Sequence, residues 1–501
     1  MAESAAIGER QPVPRLDRHD VSYSTFRVGG LTSWSTTRIA AFCVLTCTAC
    51  TIEAPSPVPE VTLAVVNATV WTGDPARPVV DAVGVLDNRI AAVGTSAAVR
   101  ALAIDDVVID AGGAMIVPGF IDSHIHLIDA GYQLLEEADR DPAGTPVANS
   151  IGSTDRDVAA LEAALDHLGA RGVTSVHHMG GWSDVAAFQS AAARRSLTAR
   201  IYVALPLSTW PRLRDAIASG AFGGANGRGN SWLRVGAVKG LVDGTLATRT
   251  AALDKAYPGS EGDRGLLLYD EDQLYAWTAA ADRAGLQVAM HAIGARATHL
   301  VLNTYARVIR ENGRRDRRFR IEHAQHLRAA DVQRLGRLGV IASMQPTRLL
   351  YDASLIDALV GHDRDTTALA IRSLLDSGAR VTFGTDWFYS PVNPLDGLYA
   401  AVTRRPIDGR GSGGWIPTER VTIAQAVDAY TLTGAYASFE EAEKGRLVVG
   451  QLADFVMLDT DLLSAPSLDI RDTRVLMTVV GGRIVFDGRQ DAPDSPMARP
   501  K

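Results

Sequence analysis

A chain of 501 residues, 47% hydrophobic and 21% charged with a net charge of -7, has the composition of an ordinary globular protein. The acidic balance argues against a nucleic-acid binder, which would carry a basic stripe, and the length accommodates one barrel of about 250 residues plus a smaller unit. All three cysteines, Cys43, Cys47 and Cys50, lie in one short segment, so the body from Thr51 onward holds neither a disulfide nor a thiolate metal site.

The cysteines sit in TTRIAAFCVLTCTACTIEAPSPVPE, where one arginine precedes a short apolar run, small residues, a cysteine and a Pro/Ser-rich stretch. A run of about 12 apolar residues is too short to span a bilayer but suits a secretory signal. CTAC resembles a bacterial lipoprotein cleavage box, in which Cys50 would be lipidated and become the mature N-terminus. The expectation is an exported, periplasmic or cell-envelope lipoprotein with membrane attachment through Cys50. Residues 1–37 make a long, mixed-charge leader, which points to translation starting near Val28 or Leu31. The alternative is a disordered tail with a chance apolar run, on a cytoplasmic protein. Metal binding by CxxC is disfavoured because no second ligand pair lies near it.

From Val61 to Ile116 short β-rich runs alternate with turns: TLAVVNATVWTG, VGVLDNRIAAVG and VVIDAGGAMIVPG. GRLVVGQLADFVMLDTD and RVLMTVVGGRIVFDG near the C-terminus read the same way. These two segments, 60–115 and 440–490, are expected to form one composite β-sandwich around an inserted central domain, with 1–59 the signal-like segment and linker and 491–501 a tail.

The centre, 116–439, alternates β-type runs with amphipathic helical stretches. The candidate strands are MIVPGFI (115–121), GVTSVHH (172–178), ARIYVAL (199–205), LRVGAVK (233–239), LQVAMH (286–291), RFRIEH (318–323), GVIASM (339–344) and RVTFGTD (380–386). In the first, VPG closes the β-rich unit and FID opens the barrel. DVAALEAALDHLGA, EDQLYAWTAAADRAG and AADVQRLGRLG are helices whose glycines mark C-caps. Eight strands alternating with helices predict a (β/α)8 TIM-like barrel; a doubly wound sheet is disfavoured by the lack of a GxGxxG turn.

Metal-binding side chains recur at the C-terminal ends of these strands, the catalytic face of such a barrel. His124 and His126 follow strand one, and spacing i, i+2 in a strand aims both rings to one side. Lys239 ends strand four, His291 strand five, His323 strand six and Asp386 strand eight. A lone histidine at a strand end is usually structural; five such positions in one register are hard to explain separately. Lys239 stands among apolar residues, where an unpaired ammonium is costly. It could pair with Asp243 or Asp386, or be carboxylated by carbon dioxide on Nζ to an anion that bridges two metals. Four histidines suited to zinc make the anion the better account.

PGFIDSHIHL, VKGLVDGTLATRTAAL, HAIGARA, RIEHAQ, FGTDW and GQLADFVMLD together resemble the amidohydrolase superfamily, in its YtcJ-like, amidohydrolase-3 branch, from about Val61 to Gly488. The resemblance implies one or two divalent ions, most simply Zn2+, and a small-molecule substrate; homo-oligomerisation is compatible with it. His124 and His126 would bind the more buried metal, carboxylated Lys239 would bridge, and His291 and His323 would bind the second. Asp386 would touch the first metal and carry the proton. VHHMG, HAIGA and QPTR depart from the branch pattern at His178, Ala295 and Arg348. His178, Arg249, His326, Arg348 and Trp387 fall where substrate contacts are expected, although packing roles account for them equally well.

The implied activity is hydrolysis of an amide-type C–N bond in an N-acyl, N-formyl or cyclic amide. Competing readings are a deaminase, an esterase or lactonase using the same hydroxide, and a non-catalytic binding lipoprotein. The intact ligand set argues against the last.

Overall fold

The computed structural model describes residues 61–104, 107–138, 153–361, 367–409 and 413–489. Cys50 with its lipoprotein-like segment, and the tail from 491, lie outside the described residues. Among the described residues no helix is long and apolar enough to cross a membrane.

Seven short strands open the chain: β1 (Leu63–Val66), β2 (Thr69–Trp71), β3 (Val79–Val80), β4 (Ala82–Leu86), β5 (Arg89–Gly94), β6 (Val108–Asp110) and β7 (Met115–Pro118). Eight more follow in the centre: β8 (Phe120–Ile125), β9 (Val173–Met179), β10 (Arg200–Pro206), β11 (Leu233–Leu241), β12 (Gln287–Ala292), β13 (Arg320–His323), β14 (Ile341–Met344) and β15 (Val381–Phe383). The last three are β16 (Phe455–Leu458), β17 (Val475–Val480) and β18 (Arg483–Asp487).

Strands β8 to β15 pair in sequence order, all parallel. The ring closes between its ends: Ile125 bridges Trp387, Asp386 N donates to His124 O at 2.8 Å, and His126 N donates to Trp387 O at 2.6 Å. Gly384 makes this closure possible, because a Cβ there would stand 2.6 Å from His124 N. Helices such as Ser153–Gly169, Glu271–Arg283 and Ala329–Leu338 fill the connections. Gly339 takes the left-handed C-cap at φ 65°, as the glycine after LGRL predicts.

Two sheets flank the barrel. One, ordered β5-β4-β1-β6, comes from the N-terminal segment alone. The other, β18-β17-β16-β7-β2-β3, joins both segments through Phe455–Leu458 antiparallel to Met115–Pro118. Val65, Val83, Val85 and Ile90 of the first pack with Val70, Ile116, Phe455, Met457 and Val479 of the second in one buried cluster, so the flanking segments form a composite sandwich. The break between sandwich and barrel falls at Gly119, where a Cβ would lie 2.2 Å from the Thr174 side chain. Strand eight is shorter than its sequence run: β15 ends at Phe383, and GTDW is the turn that carries Asp386.

Candidate metal centre

Strand β8 carries His124 to the barrel mouth, and His126 follows as the chain turns into the helix Leu127–Ala138. The two rings lie 5.7 Å apart. His124 Nε2 and His126 Nε2 each stand 3.5 Å from Asp386 Oδ1, and the ligand atoms of these three residues lie within 4.8 Å of one another. Lys239 Nζ, at the mouth end of β11, is 3.4 Å from His124 Nε2. Across the opening, the His323 ring is 4.9 Å from that of His124 and 4.4 Å from that of His291. The structure thus brings together all six positions that the sequence singles out as ligands.

Buried partners orient these groups. His124 Nδ1 lies 2.7 Å from Glu322 Oε2, and Arg320 grips the same carboxylate with Nε at 2.7 Å and Nη2 at 3.1 Å. Arg320 also donates to Ser123 O and Ser343 Oγ and contacts His177 Nδ1 at 2.9 Å. Burial acts to raise the Glu322 carboxyl, but the Arg320 charge and the His124 contact hold it well below the usual range. An ionised Glu322 places the His124 proton on Nδ1 and turns the Nε2 lone pair to the mouth. His323 Nδ1 meets Gln345 Oε1 at 2.7 Å, which assigns its Nε2 to the mouth in the same way.

A regular strand would send Glu322 and His323 to opposite faces, yet both approach His124. The left-handed backbone at His323, φ 74°, reconciles this by breaking the alternation at the end of β13. Asp386 is left-handed as well, at φ 60°. Strained non-glycine residues of this kind persist where their surroundings over-determine them, commonly at functional sites.

Burial pushes His124 down to about 4 and His291 down to about 3, with the Lys239 charge adding to both. His323 is lowered further by burial and by His291. All three are neutral imidazoles at neutral pH, the form that binds metal. Burial works to raise Asp386, but the hydrogen bond from His126 and the Arg348 charge hold it well below the ordinary value, so it is a carboxylate. The site is therefore a nitrogen and oxygen donor set that fits a divalent ion.

Burial lowers the Lys239 ammonium, partly offset by Glu322 and Asp386. Asp243, offered by the sequence as its ion-pair partner, is committed elsewhere. Its carboxylate accepts from the amides of Ala252, Ile293 and Gly294 at 2.8 to 3.0 Å and ties the loop after β11 to the end of β12.

The candidate substrate contacts divide. Arg348 is at the centre, its Nη2 donating to Asp386 Oδ2 at 3.0 Å, with Asp352 at 3.6 Å from Nη1. Arg249 is exposed in the turn after β11, where φ is 54°. His326 is buried and lines a 310 Å³ cavity with Leu253, Ala295, Leu327 and Leu359. His178 and Trp387 do not face the mouth. His178 accepts from Leu127 N at Nδ1 and meets Asp184 at 3.0 Å through Nε2, so it fixes the helix that follows His126. Trp387 is buried in the barrel seam, stacked on His167 at 4.9 Å. Packing is the role of these two.

Sequence reasoning overlooked Glu322, Arg320 and Asp122. The first two stand at i, i+2 in RIEH, a carboxylate and a guanidinium on one face of an apolar strand, which is itself the mark of a buried pair. Asp122 accepts from His124 N at 3.1 Å and Thr385 N at 3.0 Å, binding the two ligand-bearing strand ends to each other.

A model of the amidohydrolase family matches residues 107–154 and 145–486. Protein LONG AFTER FAR-RED 3 of Arabidopsis thaliana is 29% identical, with 85% of this chain and 91% of that one aligned. The N-substituted formamide deformylase of Arthrobacter pascens is 25% identical over 85% of this chain and 98% of its own. In fold, an uncharacterized metal-dependent hydrolase from Pyrococcus horikoshii superimposes with a TM-score of 0.67 at 22% identity, covering 81% of this chain and 98% of the other. With the six mouth residues in one cluster and the family model covering the barrel and the sandwich from β6 onward, the chain belongs to the amidohydrolase family, in the YtcJ-like branch to which its motifs point.

Proposed function

We propose that this enzyme hydrolyses an amide-type C–N bond in a small N-acyl, N-formyl or cyclic amide. The observation that carries the reading is the convergence of His124, His126 and Asp386 within 4.8 Å at the C-terminal end of the barrel. In this reading His124 and His126 hold the first divalent ion, zinc by the chemistry of the donors, and His291 and His323 hold a second. Lys239, 3.4 Å from His124, would complete the donor set if carboxylated on Nζ. Bound there, a divalent ion supplies a hydroxide nucleophile at about neutral pH and polarises the scissile carbonyl.

The chain's own residues do the rest. Asp386 takes the proton of the attacking water and returns it to the leaving nitrogen, which its depressed pKa allows because it enters the cycle as a base. Arg348 holds Oδ2 of Asp386, so Oδ1 remains turned to the two histidines. Glu322 keeps His124 in the ligand tautomer. The formamide deformylase relative supports the N-formyl members of the substrate class.

The test is metal analysis of the purified protein, followed by a screen of N-acyl, N-formyl and cyclic amides before and after chelation. Release of a carboxylate or formate that stops on chelation and returns with zinc is expected. Release of ammonia from an amino-heterocycle, with no such product, would assign a deaminase instead.

A further inference from the structure

Strand β11 does not end at Lys239. Two residues on, Leu241 occupies the same inward face, in register with His291, and its side chain is 50% exposed. At a strand rise of about 3.3 Å per residue this places a solvent-facing leucine about 6.6 Å beyond Lys239 on β11 and beside His291 on β12. The chain then loops out and returns so that Leu268 N donates to Val242 O at 2.9 Å, adding Leu266, Leu267 and Leu268, which are 55%, 38% and 48% exposed. With Leu241 these make four exposed leucines joined to the C-terminal end of β11.

The other side is aromatic. Tyr389, 62% exposed, follows β15, packs against Phe388 at 4.4 Å and sets its ring edge-on to His126 at 5.4 Å. In a closed ring of eight strands, β11 and β15 are four places apart and so face each other across the opening. An apolar side chain exposed beside a charged centre loses free energy to water unless something apolar covers it.

We infer that the enzyme selects amides whose scissile group carries an apolar alkyl or aryl substituent, held between the leucines and Tyr389. The inference rests on the amide-hydrolase reading. Its occupant is the substrate rather than another protein because Leu241 is in register with His291 and Tyr389 packs on His126, so both exposed side chains adjoin metal-ligand positions.

The test uses the metal-loaded protein and straight-chain N-alkylformamides from methyl to octyl, with affinity read by calorimetry and kcat/KM by formate release. Affinity should rise about two- to fourfold per methylene over the first members of the series. In Leu241→Ser and in the double variant Leu266→Ser, Leu268→Ser, the octyl advantage over methyl should shrink at least tenfold. A flat series in the native protein overturns the inference, as does an unchanged slope in both variants. An unchanged slope with a drop from dimer to monomer mass would show that the leucines cover a second copy of the chain, which also overturns it. If no member is turned over while affinity still climbs with chain length and depends on the leucines, the apolar selectivity stands and the C–N hydrolysis falls.

Discussion

Oε2 of Glu322 lies 2.7 Å from Nδ1 of His124, with both side chains buried and Arg320 closing on the carboxylate from behind. The contact assigns the imidazole tautomer and its aim, so the ligand is set before any ion arrives. Glu322→Ala should therefore weaken metal affinity by about 10- to 100-fold. It should also cost about 3–5 kcal/mol of stability, because the Arg320 charge is left buried without its partner. Glu322→Gln, which keeps an oxygen for His124, should bind metal better than the alanine variant. Metal titration against a competing chelator, with denaturant unfolding alongside, measures both effects; native metal affinity in a folded Glu322→Ala would contradict the assignment.

On the proposed carboxylation, Lys239→Ala should lose metal, and a short carboxylic acid supplied in solution should restore part of it by standing in for the missing oxygens. Native metal content in the unrescued variant would remove the bridging role.

Asp386→Asn should lower kcat by about 10²–10⁴, the usual contribution of a positioned acid–base group. Rates are expressed per bound metal, since Asp386 stands with His124 and His126 in the group that could hold an ion. A variant that keeps most of its rate at full occupancy would mean that the proton moves elsewhere.

Arg348 is one of the charges that hold Asp386 low. Removing a cation raises a neighbouring carboxylate, so Arg348→Gln should move the acid limb of the kcat/KM profile to higher pH. An unmoved limb with a raised KM would assign Arg348 to substrate binding alone.

His167, stacked on Trp387 in the barrel seam, is pushed down to about 4 by burial, with Arg171 adding to the effect. The unfolded chain carries this proton below about 6.5 whereas the folded chain does not until about 4. Its stability contribution is therefore complete above about 6.5 and lost as pH falls through that window. His167→Phe should flatten the slope of unfolding free energy against pH there by up to about one proton, read from denaturant curves at half-unit steps.

Legibility from sequence followed the periodicity of the side chains. Barrel strands buried on both faces read as continuous apolar runs, so all eight could be placed, and the ligands at their ends followed from chain direction alone. Gly339 is legible as a helix C-cap, whereas the close approach at Gly384, where strand eight meets strand one, is seen only in the folded barrel. Less legible were the residues whose roles depend on a partner far away in the chain. VHHMG singles out His178 as a departure from the branch pattern, but does not show that Asp184 and Leu127 consume both of its nitrogens.

The fold class and the six mouth residues in their order are legible in the chain alone, because strand direction and side-chain alternation are local properties. Only the tertiary structure decided which groups orient them. Glu322 reaches His124 across 198 positions, and Asp122 reaches Thr385 across 263. The left-handed turns at His323 and Asp386 aim side chains that regular strands would point away. Such contacts arise when the barrel closes, since closure brings the first strand to the turn after the last at Asp122 and Thr385 and sets His124 against Glu322 of β13.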